Sequence, residues 1–264
     1  EGGVELPLVS TGSAGCGKAA LLANWVNRRR KTKHRDEFLF QHFVGCSPRS
    51  KQLSHLLYRL ESALKDRFQL REMEVPTSEE RLRWSLNRFL AAAAKKQFPA
   101  RIVIVIDNVN GLLGESSAAD TLHWLPTELP PCVRFIVSTL EFEKYSSDPD
   151  EVTEHNTRVH RTYMELKRRK CPYVRLEPLT VDTRHAIIGA FMRDNQQALQ
   201  IDQAQQFKIV TAKPSSQPMF LRTILHALVL GVEMSDVSID EQIDTYLAAE
   251  TSANLISRIF DLCA

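Results

Sequence analysis

The sequence of 264 residues contains few cysteines, no long hydrophobic run and almost no net charge. Its five cysteines form no Cys-x-x-Cys pair and have no histidine partners at zinc spacing, which argues against a disulfide framework or a metal site built on cysteine. Reduced thiols favour a cytoplasmic protein instead. Apolar runs such as 102–106 are far shorter than the roughly 20 residues that a transmembrane helix needs, so we expect no membrane partner.

The near balance of charge, 34 Lys and Arg against 32 Asp and Glu, gives no electrostatic sign of a nucleic-acid partner. Two basic runs, 28–35 and 167–170, lie near predicted element ends and have no interleaved aromatic residues for base stacking. We interpret both runs as solvated helix ends and expect no nucleic acid. The sequence begins at Glu1 without Met or a signal peptide, so we expect a segment of a longer protein.

Patterns typical of strands and helices alternate through the first 177 residues. Short apolar runs predict strands at 6–10, 38–44, 102–106, 133–139 and 173–176. Helical spacing predicts helices at 19–31, 52–68, 78–96 and 118–125, whereas the polar stretch 141–170 shows no clear pattern. This alternation predicts an α/β fold with a parallel sheet sandwiched by helices.

The pattern changes after Pro178, where only helices are predicted. They lie at 181–193, 201–212 and 218–230, and again from 239 onward. We therefore place a domain boundary near 178 and expect a small all-helical domain after the sheet domain 1–177.

A glycine-rich loop connects the first predicted strand to the first predicted helix. Its pattern, Gly12-x-x-x-x-Gly17-Lys18, is that of a phosphate-binding loop, whose backbone N–H groups and lysine hold nucleotide phosphates. The alternative is a glycine-rich turn with a solvent-exposed lysine. The loop interpretation predicts nucleotide contacts from Gly12, Ser13, Ala14, Gly15, Cys16, Gly17, Lys18, Ala19 and Ala20.

Ala19 departs from this pattern, because the loop normally places Ser or Thr there and its hydroxyl binds Mg²⁺. The remaining loop amides and Lys18 can still hold a diphosphate. We therefore predict ATP or ADP as the ligand, with weakened binding of Mg²⁺.

Asp107 is the predicted metal residue, because it ends a buried strand beside the loop and can hold Mg²⁺ through water. Alternatively it only begins the turn 107–111. Hydrolysis needs a further group that orients or activates water. The positions that follow hold Asn110 and Gly111, neither of them a carboxylate, so Asn110 is the one remaining catalytic candidate and hydrolysis is expected to be weak or absent.

Several segments resemble the NACHT branch of the STAND nucleoside triphosphatases, of the nephrocystin type. The similarity lies at 12–26, 42–45, 103–110, 124–138, 176–179 and 217–221. The resemblance implies a helical domain at 178–236 and the start of a truncated winged helix at 237–264. It also implies that Pro218 lies near the adenine of bound ATP or ADP.

In that family, bound ADP or ATP clamps the domains in closed or open arrangements, and the parent proteins often carry tetratricopeptide repeats. The resemblance thus implies protein partners, contacts with other domains of a parent chain and homo-oligomers, in the cytoplasm and also at the cilium. Three features depart from the pattern: Ala19, the pair Asn110-Gly111 where an acidic pair is common, and no arginine after Ser138-Thr139.

Three functional hypotheses follow from these residues. The first is a nucleotide-dependent regulatory switch module of a larger signalling or scaffold protein. The second is a degenerate scaffold that keeps the fold for protein assembly without a nucleotide cycle, which the three departures favour. The third, an active ATPase, requires Lys18 and Asp107 alone to support turnover.

Overall fold

The computed structural model of the chain describes residues 5–32, 37–96, 101–115, 119–142, 154–195, 199–234 and 237–263. The chain forms two compact units. The first consists of Glu1–Ser13 and Lys18–Arg175, and the second of Ala14–Gly17 and Leu176–Ala264. The domain boundaries expected near 178 and 237 stay predictions.

The first unit is built on a five-stranded parallel sheet with the order β2-β3-β4-β1-β5. Its strands are β1 (Leu8–Gly12), β2 (Glu37–Phe43), β3 (Arg101–Asp107), β4 (Val133–Leu140) and β5 (Tyr173–Arg175). The predicted α/β class is confirmed, and the ends of the strands differ from the predicted ones by at most two residues.

Helices cover the two faces of this sheet unequally. Helix α1 (Lys18–Lys31) packs on one face, whereas α2 (Leu53–Phe68), α3 (Glu79–Ala94) and α4 (Glu154–Arg168) pack on the other. Side chains of β3 alternate between the two cores: Ile102, Ile104 and Ile106 face α2 and α3, while Val103 and Val105 face α1. The absence of polar residues from 102 to 106 therefore reflects burial on both faces.

The second unit is helical around its own core. It contains α5 (Val181–Asp194), α6 (Gln203–Thr211), α7 (Pro218–Met234), α8 (Ile239–Leu247) and α9 (Ser252–Cys263). Three of these helices, α5, α6 and α8, are preceded by the N-cap residues Thr180, Asp202 and Ser238. Each N-cap side chain accepts a hydrogen bond from the backbone N–H three residues later. Over the described ranges, neither unit has a helix long and apolar enough to cross a lipid bilayer. The helical C-terminal region is as predicted.

One predicted helix is wrong. Ala118 lies outside the described residues, and residues 119–124 form turns rather than the expected helix. Leu122 has a φ of 54°, which a right-handed helix does not allow. The carbonyl oxygens of Leu122 and Leu125 accept hydrogen bonds from the guanidinium group of Arg169, at 2.8 and 2.7 Å. A distant arginine thus satisfies backbone groups that a helix would have paired internally.

Helix α4 lies inside the stretch 141–170 for which no pattern was recognised. Residues 143–153 of that stretch lie outside the described residues. Val159, Tyr163 and Leu166 are buried on one side of α4, at helical spacing. The apolar stripe is narrow, and the many charged residues around it concealed the periodicity.

Glu61 of α2 is a fully buried carboxyl group in the larger core. The hydroxyl Oγ of Ser85 in α3 lies 2.8 and 2.7 Å from its two carboxyl oxygens, and 3.2 Å from the carbonyl oxygen of Leu82. Burial raises the pKa of Glu61 to about 7, although the hydrogen bond from Ser85 lowers it. A protonated Glu61 can donate to Ser85, whose hydroxyl then donates to Leu82.

We expect Glu61 to make the folded state less stable as the pH rises. Between the ordinary pKa of 4.5 and the raised value of about 7, the folded state binds more protons than the unfolded state. The free energy of unfolding therefore falls across this window, by up to about 3 kcal/mol. Glu61→Gln keeps a hydrogen-bond donor for Ser85 and should abolish that loss, as measured by urea unfolding at several pH values.

The exposed substitution Glu72→Gln is the matched control and should leave the pH dependence of the parent unchanged. An equal fall in stability for the parent and for Glu61→Gln would show that this carboxyl is not responsible.

Candidate functional site

Polar side chains lie at the carboxyl edge of the sheet, where β1, β3 and β4 end. On the face that carries α1, Ser138 of β4 lies between Ser10 of β1 and Asp107 of β3. The Ser138 hydroxyl donates to Oδ1 of Asp107 at 2.5 Å and accepts from the backbone N–H of Asn108 at 2.7 Å. Ser138 therefore holds both the carboxylate and the backbone that follows it.

Asp107 is buried, with an exposed fraction of 7%. Burial raises the pKa of its carboxyl group, while the hydrogen bond from Ser138 and the charge of Lys18 lower it. Lys18 is therefore close enough for its charge to act on Asp107. A bound cation would stabilise the ionised form further.

A second set of polar groups lies on the opposite face of the same edge. Thr139 of β4 is in register with Thr11 of β1 and donates to Oδ1 of Asn110 at 3.1 Å. The backbone N–H of Leu140 also donates to this oxygen at 3.0 Å. Because a backbone N–H only donates, the contact identifies Oδ1 and fixes the orientation of the amide.

Three buried polar atoms at this edge have no hydrogen-bond partner among the described residues. They are the Nδ2 atom of Asn110 and the hydroxyl oxygens of Ser10 and Thr11. Buried polar groups are normally paired with protein, water or ligand atoms. The unpaired atoms mark the edge as a place where a polar ligand or ordered water fits.

Lys18 and the residues before it lie where the sequence predicts a phosphate-binding loop. Gly12 ends β1 and Lys18 begins α1, so residues 13–17 connect a strand directly to a helix. The Nζ atom of Lys18 donates to the carbonyl oxygens of Gly12 and Ser13, at 2.9 and 2.8 Å. Ala19 and Ala20 are exposed in the first turn of α1, which contains no acidic residue. The first N–H groups of a helix have no partner within the helix, and this end of α1 therefore favours an anion.

The middle of the loop, Ala14–Gly17, belongs to the second unit. Within that unit the carbonyl oxygen of Gly15 accepts from the backbone N–H of Met219 at 3.2 Å. Gly15 and Gly17 have φ values of 77° and 98°, which favour glycine. Cys16 is buried. Pro218 begins α7, and its position near an adenine stays a prediction.

The residues present fit a magnesium ion that is held mainly by its nucleotide. Asp107 offers a carboxylate, but the side chain of Ala19 offers no oxygen. In the described ranges, no three His, Cys, Asp or Glu side chains are grouped so that they could hold a metal ion by themselves. Magnesium often takes one or two carboxylates and completes its shell with phosphate oxygens and water. Asp107 would be the protein contribution.

Sequence reasoning missed the roles of Ser138 and Thr139. In the sequence, Ser138 and Thr139 were noted only as the positions after which the family's arginine is missing. The available signal was two hydroxyl side chains after the apolar run 135–137, beside the strand that ends in Asp107. Both residues hold a predicted site residue, Asp107 or Asn110.

Curated proteins with tetratricopeptide repeats are similar to this chain. A TPR repeat-containing protein of Dictyostelium discoideum is 21% identical over 95% of the chain. Tetratricopeptide repeat protein 41 of Mus musculus is 30% identical over 50% of the chain. The chain spans 16% and 10% of these two proteins, respectively. No family model matches the chain.

Solved structures with a similar fold include the ORC2 protein of Aeropyrum pernix, determined as ADPNP-ADP complexes. Its TM-score is 0.53 at 12% sequence identity, and the match covers 97% of this chain and 63% of that protein. The likeness concerns the fold alone. Together with the parallel sheet and the helical C-terminal region, it confirms the predicted class, a P-loop NTPase-like fold.

We expect Ser138→Ala to lower the free energy of unfolding by about 1–3 kcal/mol, because it leaves the Asp107 carboxylate and the Asn108 N–H without their shared partner. Ser10→Ala is the matched control. Ser10 is in register with Ser138, and its hydroxyl group has no partner among the described residues. This control should be neutral or slightly stabilising. Urea unfolding measures both, and equal losses would contradict the assigned role of Ser138.

Proposed function

We propose that this chain is the nucleotide-binding module of a larger protein and acts as a regulatory switch that binds ATP or ADP. The phosphates bind the loop from Gly12 to Ala20, and Asp107 holds Mg²⁺ through water. The observation that carries this proposal is the position of Lys18. It begins α1 directly after the first strand, its ammonium group lies across the loop, and its charge acts on Asp107.

Phosphate binding follows from the local backbone. Gly15 and Gly17 allow the loop to curl, and the first turn of α1 offers N–H groups without an intrahelical partner. The Lys18 ammonium group exchanges its contacts with the carbonyl oxygens of Gly12 and Ser13 for phosphate oxygens. Magnesium, when bound, neutralises charge on the phosphates.

Weak or absent hydrolysis follows from two positions. Ala19 supplies no hydroxyl to Mg²⁺. Asn110 cannot take a proton from water, because its amide is not basic and its Oδ1 already accepts from Thr139 and Leu140. The Nδ2 atom is left to donate to a phosphate oxygen or to a water molecule. The site thus favours binding over turnover.

The loop also offers a route from the ligand to the helical unit. Its middle residues Ala14–Gly17 pack within the second unit, where Gly15 is hydrogen-bonded to the first turn of α7. A nucleotide that reorients the loop amides changes the surroundings of Met219. A switch requires that ATP and ADP differ in their affinity for two arrangements of the chain.

The larger protein is proposed to be of the STAND type with a NACHT module, in the cytoplasm. The relatives support a parent chain with tetratricopeptide repeats, since they carry such repeats by name and are much longer than this chain. Repeats of this kind form extended surfaces for protein binding. Protein partners and homo-oligomers are therefore the proposed means of signalling or assembly.

A scaffold without a nucleotide cycle is the second candidate. The observation that favours it is the internal contact of Lys18, whose ammonium group already donates to the carbonyl oxygens of Gly12 and Ser13. In addition, Ala19 supplies no metal ligand. In that case the P-loop fold serves protein assembly alone.

Lys18→Ala should abolish the binding of a fluorescent ADP analogue, measured by anisotropy, because the loop loses its only lysine. Lys31→Ala, at the exposed opposite end of α1, is the control and should bind like the parent. Chromatography of the nucleotide released on denaturation gives a second readout. If Lys18→Ala binds ADP as well as the parent, the site assignment is wrong. A parent that binds neither ADP nor ATP would favour the scaffold.

Ala19→Ser combined with Asn110→Asp should increase the rate of ATP hydrolysis by at least about tenfold, because it restores a metal hydroxyl and a carboxylate that can accept a proton. Ala19→Ser alone should mainly strengthen the dependence of binding on Mg²⁺. Phosphate release at saturating ATP measures both effects. A parent that already turns over as fast as the double variant would contradict the proposed loss of hydrolysis.

A further inference from the structure

A cleft of about 340 Å³ lies on the sheet face beneath α1, in the first unit. It is formed near the amino ends of β3 and β4, whereas Asp107 and Ser138 lie near the carboxyl ends of the same strands. Its volume is at the lower end of the range for ligand sites. The lining side chains are Trp25, Arg29, Arg101, Val103, Arg134 and Ile136.

The cleft exists because one helix cannot cover this face. Five strands at about 4.8 Å spacing span about 19 Å, whereas a helix with its side chains is about 10 Å wide. Among the described residues of the first unit, only α1 packs here. Leu8, in register with Ile136, is 37% exposed, and Val174 of β5 is 48% exposed. An apolar strip therefore continues from the cleft across β1 to β5.

Arg29 of the cleft is held in place by a buried carboxylate. Arg29 makes a bidentate contact with Glu37, at 2.6 and 2.5 Å, and its guanidinium carbon lies 5.0 Å from the centre of the Trp25 ring. The Glu37 side chain is only 5% exposed. Such a pair fixes the position of both Arg29 and Trp25 before any ligand binds.

Arg134 is fixed mainly by the backbone. It donates to the carbonyl oxygens of Pro131 and Val133, at 2.7 and 2.9 Å, and also to Glu5 at 2.7 Å. Arg101 is different, because it is exposed and has no hydrogen-bond or ion-pair partner in the described part of the chain. Its guanidinium group adds a positive charge that no neighbouring carboxylate is seen to balance.

We propose that this cleft binds an acidic peptide segment of a protein partner. An apolar side chain of the peptide packs on Val103 and Ile136 beside the Trp25 ring, and its carboxylates contact Arg101 and Arg134. Charge complementarity identifies the partner, because the arginines select carboxylates while half of the lining is apolar. The exposed strip toward Leu8 and Val174 suits a longer segment better than a small molecule.

To test this, peptides that bind the purified chain are selected from a display library of random short sequences. Peptides that pair Asp or Glu with an apolar residue should be enriched. A selected peptide, labelled and measured by anisotropy, should bind Arg101→Ala about threefold more weakly and Arg101→Glu more than about tenfold more weakly. Arg101 is exposed, so both variants should keep the melting temperature of the parent.

Arg88→Glu is the matched control, because Arg88 is exposed on α3, on the opposite face of the sheet. It should bind the selected peptide like the parent. The proposal would be overturned if the selected peptides lacked acidic residues. It would also be overturned if a selected peptide bound the parent and Arg101→Glu equally well. An oligonucleotide that competes for the cleft while no acidic peptide is enriched would show instead that the arginines bind nucleic acid.

Discussion

The candidate site depends on the parallel register of β1, β4 and β3. This pairing puts the carboxyl ends of three strands at one edge and aligns Ser10 with Ser138 and Thr11 with Thr139. Ser138 then meets Asp107, the last residue of β3, and Thr139 meets Asn110, which follows the strand. A slip of one residue would exchange the two faces and separate the carboxylate from its hydroxyl partner.

The same register explains why the edge is both rigid and incompletely paired. Ser138 and Thr139 fix the positions of Asp107 and Asn110, so the strand ends are tied together across the sheet. The hydroxyl groups of β1 point into the same region without described partners. A site that binds a polar ligand needs this combination, because fixed groups position the ligand and unpaired groups interact with it.

Much of the fold could be predicted because its signals are local. The strand that ends in Asp107 is apolar from residue 102 to residue 106. The loop before α1 has a pattern with a known physical role. The contact between Ser138 and Asp107 could not be predicted, since these residues are 31 positions apart and meet only through strand order. Likewise, Leu122 sits in a turn because Arg169 satisfies its carbonyl group, which local periodicity cannot reveal.

Helix α1 serves both ends of the first unit. Its first residue is Lys18, and its later turns carry Trp25 and Arg29, which line the cleft at the amino ends of β3 and β4. A helix of 14 residues is about 21 Å long and behaves as a rod, so a tilt at its start also moves its far end. Thermodynamic linkage makes such a connection symmetric: by whatever factor a nucleotide alters affinity at the cleft, an occupant of the cleft alters nucleotide affinity by the same factor.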